Sequence, residues 1–161
     1  MAELDRARLV VELGAGTGSY TEALLARLGP QARLLAFEID SALAAAVGAK
    51  LPDPRLRVMA VSAQDVEDVL DGQRPEVVVS ALPFTSLPAE MGRAILEGTA
   101  RVLAPGGTLL VLQYSPLIAP ELSRVFGSVR RRVCLVNVPP AFLFACRDPQ
   151  VAGSAGPTAA L

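Results

Sequence analysis

Apolar and polar positions alternate along this chain in two rhythms. Short apolar runs end in acids or turn residues: Arg8 to Leu13, Leu34 to Glu38, Leu56 to Val61, Glu76 to Ser80 and Thr108 to Leu112. Runs of this length read as strands, and the consecutive valines Val77, Val78 and Val79 describe one covered on both faces. Between the runs, apolar residues recur at helical spacing. Tyr20 to Leu28 carries Leu24, Leu25 and Leu28 along one face. Asp40 is an N-cap for a helix whose buried stripe would be Leu43, Ala46 and Val47, closed by Pro52 and Pro54. A short acidic helix follows over Gln64 to Leu70, and a longer one over Ala89 to Leu103 stops at Pro105-Gly106-Gly107. Leu122, Val125 and Phe126 indicate one more helix.

The rhythm then changes. Val133 to Val138 and Ala141 to Arg147 flank Pro139-Pro140 and read as an antiparallel pair. Asp148 to Leu161 has no periodicity and reads as a flexible tail. Strands alternating with helices predict one α/β domain over residues 1–147, an open doubly wound sheet with its ligand at the carboxyl ends of the strands.

Composition narrows the function. A length of 161 residues with 52% hydrophobic and 19% charged content supports one folded core, and mean hydropathy is high at +0.42. No apolar stretch reaches the roughly 18 residues that span a bilayer. The N-terminus mixes acids with bases and is no secretory signal, so the expected place is the cytoplasm, or peripheral to the inner face of a membrane. A net charge of -1 argues against a nucleic-acid partner. The local cluster Arg130-Arg131-Arg132, with Arg124 upstream, is a solvated start of a strand or a contact for anionic lipid or phosphate. Histidine is absent, which removes an imidazole base, and no metal centre is expected. Cys134 and Cys146 lie symmetrically about Pro140, where a hairpin could oppose them; reduced thiols fit a cytoplasmic protein better.

The chemistry concentrates in VELGAGTGSY, residues 11–20. An apolar strand ends in Glu12, and a loop then carries Gly14, Gly16 and Gly18 before a helix. Glycines there let backbone approach a ligand without a Cβ in the way. The third glycine comes one residue earlier than in the dinucleotide fingerprint, with Ser19 in the expected place, which argues against a dinucleotide. Glu12 can organise the loop amides or a ligand's ammonium group. Glu38, at the end of the second strand, can accept both hydroxyl hydrogens of a ribose, and Ile39 offers an apolar surface to an adenine.

With these residues the chain resembles the class I S-adenosylmethionine-dependent methyltransferases over Arg8 to Arg147. The resemblance implies a Rossmann-like seven-stranded methyltransferase fold, mostly parallel with a C-terminal antiparallel strand. It also implies S-adenosyl-L-methionine as cofactor and S-adenosyl-L-homocysteine as product. Carried onto this sequence, Glu12, Gly14, Ala15, Gly16, Gly18 and Tyr20 surround the methionine portion, and Glu38 and Ile39 take the ribose and adenine. Ser62 and Ala63 stand where the family places an adenine-binding aspartate, with Gln64 and Asp65 beside them, and Ser80 ends the fourth strand.

On the acceptor side, Ser80-Ala81-Leu82-Pro83-Phe84 resembles the Ser-Gly-Leu-Pro step of bacterial phospholipid N-methyltransferases, relatives of the rRNA adenine dimethyltransferases. Gln113-Tyr114-Ser115-Pro116 and Asn137-Val138-Pro139-Pro140-Ala141 add to this likeness. Enzymes that methylate planar amines place Asn or Asp where Ala81 stands, which counts against a nucleobase. The resemblance implies N-methylation of phosphatidylethanolamine or a similar amine head group, with Tyr114, Pro83 and Phe84 as the catalytic residues. Tyr114 would orient the amine and Phe84 would add an aromatic wall. A small-molecule or rRNA adenine methyltransferase and a non-catalytic cofactor-binding protein are the alternatives. Phospholipid methyltransferases generally carry an amphipathic segment ahead of the first strand; Met1 to Ala7 stand there in this sequence. The expectation is therefore cofactor binding with slow, if any, turnover of bilayer lipid. Oligomeric state is left open.

Overall fold

The computed structural model describes residues 4–134 and 141–150. Five strands, β1 (Leu9–Leu13), β2 (Arg33–Phe37), β3 (Leu56–Met59), β4 (Val77–Ser80) and β5 (Thr108–Gln113), are parallel. Beyond them, β7 (Ala141–Pro149) runs antiparallel between β5 and β6 (Phe126–Cys134). The sheet order is β3-β2-β1-β4-β5-β7-β6. This is the Rossmann-like methyltransferase arrangement expected from the sequence.

β1 is central because its apolar residues can be buried on both faces. Val11 and Leu13 face a core that includes Phe37, Leu96 and Phe144; Val10 faces Leu24, Leu25 and Leu28 on the other side. The first core is covered by α3 (Val66–Leu70), α4 (Ala89–Val102) and α5 (Ala119–Val125). The second is covered by α1 (Ser19–Leu25). From β1 the chain moves outward to β2 and β3, then returns to place β4 on β1's other side. That reversal opens a crevice at the carboxyl ends of β1 and β4, where open α/β sheets bind ligands.

Asp40 caps α2 (Ser41–Lys50) as expected, its side chain accepting from the amides of Ala42 and Leu43 at 2.8 and 3.0 Å. The buried face of α2 is Ala44 and Val47, however, not Leu43, Ala46 and Val47. This helix packs on the edge strand β3, so a narrow seam of small side chains suffices and Leu43 stays exposed. Phe126 is the first residue of β6, with extended φ −123° and ψ 132°, not the end of a helix. Its apolar side chain is buried in either geometry, so spacing alone could not separate the two.

β6 starts at Phe126 rather than Val133, because an edge strand tolerates the charged run Arg130-Arg131-Arg132. β7 extends through Asp148 and Pro149, past the expected start of the tail. The register sets Cys134 opposite Ala141 and Cys146 opposite Val129, so the cysteines are not cross-strand partners. Asn137 to Pro140 and most of the expected tail lie outside the described residues. No described helix is long and apolar enough to cross a membrane.

Candidate active site

The glycine loop is held to the end of β2 by its own backbone. The Gly14 and Ala15 amides both donate to the Phe37 carbonyl, at 2.9 and 3.0 Å. Gly14, Gly16 and Gly18 have φ of 84°, 55° and 82°, a region that side chains disfavour. A Cβ on Gly14 would stand 2.7 Å from a Leu82 methyl, and one on Gly18 would press Val47 of α2 at 3.2 Å. At Gly16 a Cβ would meet nothing within 4 Å, so this face of the loop is open. The loop is thus tight against β4 and α2 and bare toward the crevice.

Glu38, buried at 8% exposure, completes the loop from below. Its Oε2 accepts from the Gly16 amide at 2.8 Å and its Oε1 from the Asp40 amide at 3.0 Å. A carboxylate offers about four acceptor positions, so two remain. Glu12 is more deeply buried, at 1% exposure, and contacts α1 instead: the Thr21 hydroxyl donates to its Oε2 at 2.7 Å. The expectation that Glu12 organises loop amides is corrected, since Glu38 makes that bond. Glu12 Oε1 has no hydrogen-bond partner among the described residues. Burial raises the Glu12 pKa to about 7; the Thr21 bond opposes the rise and the nearby Glu38 charge adds to it. Thr21 was not singled out from the sequence, although a polar residue on the inner face of α1 was its signal.

A cavity of about 110 Å³ opens beside the loop. Gly14, Glu38, Ile39, Ser62 and Ala63 line one side of it, and Leu82, Leu87, Met91 and Ile95 the other. The second group was missed, because its residues read as ordinary core positions of a turn and a helix. Ile39 is 76% exposed, an unusual position for isoleucine unless something covers it. The Ser62 hydroxyl accepts from the Gln64 amide at 3.2 Å, while the side chains of Gln64 and Asp65 are exposed. Ser80 is fully buried, its hydroxyl 3.4 Å from the Leu82 amide, so its side chain lies under the crevice and not in it.

The acceptor-side residues separate in space. Pro83 is exposed and precedes the one-turn 3-10 segment Phe84–Ser86. Phe84 is buried at 6% exposure in the main core and does not line the cavity beside the glycine loop. The expected aromatic wall is corrected: the 3-10 turn rotates the ring inward, toward α4. Tyr114, at 60% exposure, follows β5 and lies near Tyr20 of α1. Burial first, then the neighbouring Tyr114, raises the Tyr20 pKa. The two tyrosines therefore stand close together where the start of α1 nears the loop after β5. Beneath them, Gln113 Nε2 donates to the carbonyls of Leu82 and Leu112, each at 2.6 Å.

Arg130, Arg131 and Arg132 are exposed on β6, with Arg131 5.8 Å above the Phe142 ring, while Arg124 pairs with Glu121.

Residues 10–107 match the family model of a methyltransferase domain. The chain is 31% identical to the ornithine lipid N-methyltransferase of Singulisphaera acidiphila, over 89% of this chain and 77% of that protein. Its fold is similar to that of the N-methyltransferase NodS from Bradyrhizobium japonicum in complex with S-adenosyl-L-homocysteine. That likeness has a TM-score of 0.76 at 16% identity, covering 89% of this chain and 79% of that one. An rRNA methylase from Streptococcus thermophilus is also similar, with a TM-score of 0.68 at 18% identity, over 91% and 90% of the two chains. Neighbours with such different acceptors establish the scaffold and leave the acceptor to the site.

Proposed function

The chain belongs to the methyltransferase family, and we propose that it transfers a methyl group from S-adenosylmethionine to the amine of a lipid head group, phosphatidylethanolamine or a similar amine. The observation that carries the cofactor half is the bond from Gly16 to Glu38. It fixes a carboxylate with unused acceptor positions beside a bare stretch of backbone, which suits a ribose diol next to a flexible chain. The unpartnered Glu12 Oε1 suits an ammonium group, and Ile39 with Leu82 suits the faces of an adenine. Ser62 and Ala63 would border the adenine edge. Gly18 and Tyr20 would close the methionine end. The acceptor half is supported by the likeness to a lipid-amine enzyme.

The cofactor, when bound, supplies a sulfonium methyl already activated toward attack. The head-group ammonium must first give its proton to solvent, since only the free amine has a lone pair; the protein's task is then alignment and exclusion of water. Ala81 has no polar side chain and Leu82 and Pro83 are apolar, so the acceptor loop offers an amine little competition for its lone pair. Tyr114, near Tyr20, would orient the amine through its hydroxyl or ring face. Pro83 shapes the loop, and Phe84 acts from within the core. A lipid acceptor suits a peripheral position at the inner face of a membrane.

The test is calorimetry with S-adenosylmethionine and S-adenosylhomocysteine, followed by transfer of labelled methyl to lipid extract, purified phosphatidylethanolamine, ornithine lipid and RNA. Label in an amine lipid supports the proposal. Label in RNA alone, or cofactor binding without transfer to any acceptor, overturns the acceptor half.

A further inference from the structure

A second cleft of about 320 Å³ lies on the outer side of Leu87, between the Phe84–Ser86 turn, the start of α4 and the 3-10 segment Pro116–Ile118. We propose that it is the hydrocarbon-chain subsite for the lipid acceptor, with Arg93 at its mouth for the acceptor's anionic group. This rests on the lipid-amine reading above.

Position carries the first part of the argument. Leu87 lines both clefts, so this one adjoins the cavity read above as the ribose and adenine end, and its link to the acceptor side runs through Leu117 and Ile118 of the Tyr114 loop. α4 serves the two with separate rows: Met91 and Ile95 face the first cavity, Gly92 and Leu96 the second. Phe84 and Ile118 complete apolar walls, and Leu117, 75% exposed at the rim, is an apolar side chain awaiting cover. Leu117 also belongs to the loop that carries Tyr114. The volume falls in the range of small-molecule sites, which runs from roughly 300 to 1,000 Å³.

Gly92 carries the second part. It sits inside a helix of 14 residues, where glycine is a weaker choice than alanine. Backbone geometry does not demand it, and a Cβ there would meet Phe84 at 3.5 Å, an ordinary contact. Alanine would therefore fit as well, whereas a larger side chain at this position would enter the cleft. Charge supplies the third part. Glu121 at the rim is paired with Arg124, whereas Arg93 is exposed and forms no ion pair among the described residues. An apolar slot with a cationic mouth matches one hydrocarbon chain and the phosphate of a zwitterionic amine lipid.

The experiment is titration of the S-adenosylhomocysteine-loaded protein with single-chain phosphoethanolamines, lengthened one methylene at a time and kept below micelle-forming concentration. Burial of each methylene is expected to tighten binding about fourfold until the cleft is full. Gly92→Leu should flatten this dependence and Gly92→Ala should keep most of it. Leu117→Gln, an exposed change that leaves the fold intact, should weaken the longer chains most, and Arg93→Gln should weaken all lengths alike. Affinity independent of chain length, or a Gly92→Leu protein with the full dependence, overturns the subsite. A chain-length dependence that follows this pattern without methyl transfer upholds the subsite and sinks only the transfer reading.

Discussion

The Gly16 amide and the Glu38 carboxylate, 22 positions apart in sequence, are joined by a 2.8 Å hydrogen bond. Through it the end of β2 fixes the shape of the loop after β1. Glu38→Ala removes this brace together with the acceptor positions left for a ribose. A hydrogen bond to a charged group contributes about 1.5–3 kcal/mol, so S-adenosylmethionine should bind roughly 10- to 150-fold more weakly. Calorimetry on the variant measures this directly.

The glycines of the loop should respond differently to one added methyl. Gly14→Ala puts a Cβ 2.7 Å from Leu82 in addition to the strain of a φ of 84°, whereas Gly16→Ala has open space and strain alone. Left-handed backbone costs an alanine about 1–2 kcal/mol. Gly14→Ala should therefore lower the urea midpoint more than Gly16→Ala. Gly16→Ala, next to the amide that Glu38 holds, should still lower cofactor affinity.

Glu12 makes stability depend on pH. Its carboxyl, raised by burial from 4.5 to about 7, keeps its proton in the folded state over a range where the unfolded chain has released it. The folded protein binds more protons there, so stability falls as pH rises from about 4.5 to about 7 and levels off above. The loss attributable to this group is about 3 kcal/mol. Urea unfolding across that range should show the decline, and Glu12→Gln should remove most of it. A cation seated against Glu12 Oε1 favours the ionised form, so cofactor affinity should rise with pH through about 7.

Tyr114 is exposed, and its hydroxyl supports no core contact. Tyr114→Phe should leave the melting temperature unchanged and lower kcat/KM for the amine acceptor about tenfold, the value of one hydrogen bond to a charged or polarised group. Cofactor affinity should be unaffected, which a paired calorimetric measurement checks.

Cys146 is fully buried, and burial pushes its thiol up to about 12. Thiolate is the reactive species, so Cys146 should resist alkylation in the folded protein and react once denatured. Peptide mapping after labelling under both conditions tests this.

The order of strands and helices was readable from short apolar runs, because parallel strands buried on both faces have few polar residues to confuse the pattern. So was the glycine loop, as backbone free to approach a ligand; that Gly14, Gly16 and Gly18 all take positive φ is shown by the structure. The partner of the Gly16 amide was not readable: Glu12 and Glu38 both end strands, and only the crossover between β1 and β2 decides which carboxylate lies under the loop. The walls formed by Leu82, Leu87, Met91 and Ile95 were hidden for a different reason. Apolar residues that face a ligand and those that face a core follow the same spacing. The first part of β6, from Phe126, escaped because its arginines interrupt the alternation that marks a half-buried strand.

The Gln113 side-chain amide ties the carbonyl of Leu82 to that of Leu112. The loop after β4 thus hangs from its neighbouring strand as well as from its own turn, in which the Phe84 amide donates to the Leu82 carbonyl and the Ser86 amide to that of Pro83. Its altitude over the sheet is inherited from β5, so exchanging Ala81 or Pro83 for other side chains would retune what the loop greets without letting it sag. On the lipid-amine reading proposed above, a change of acceptor would then come from recolouring a fixed ledge.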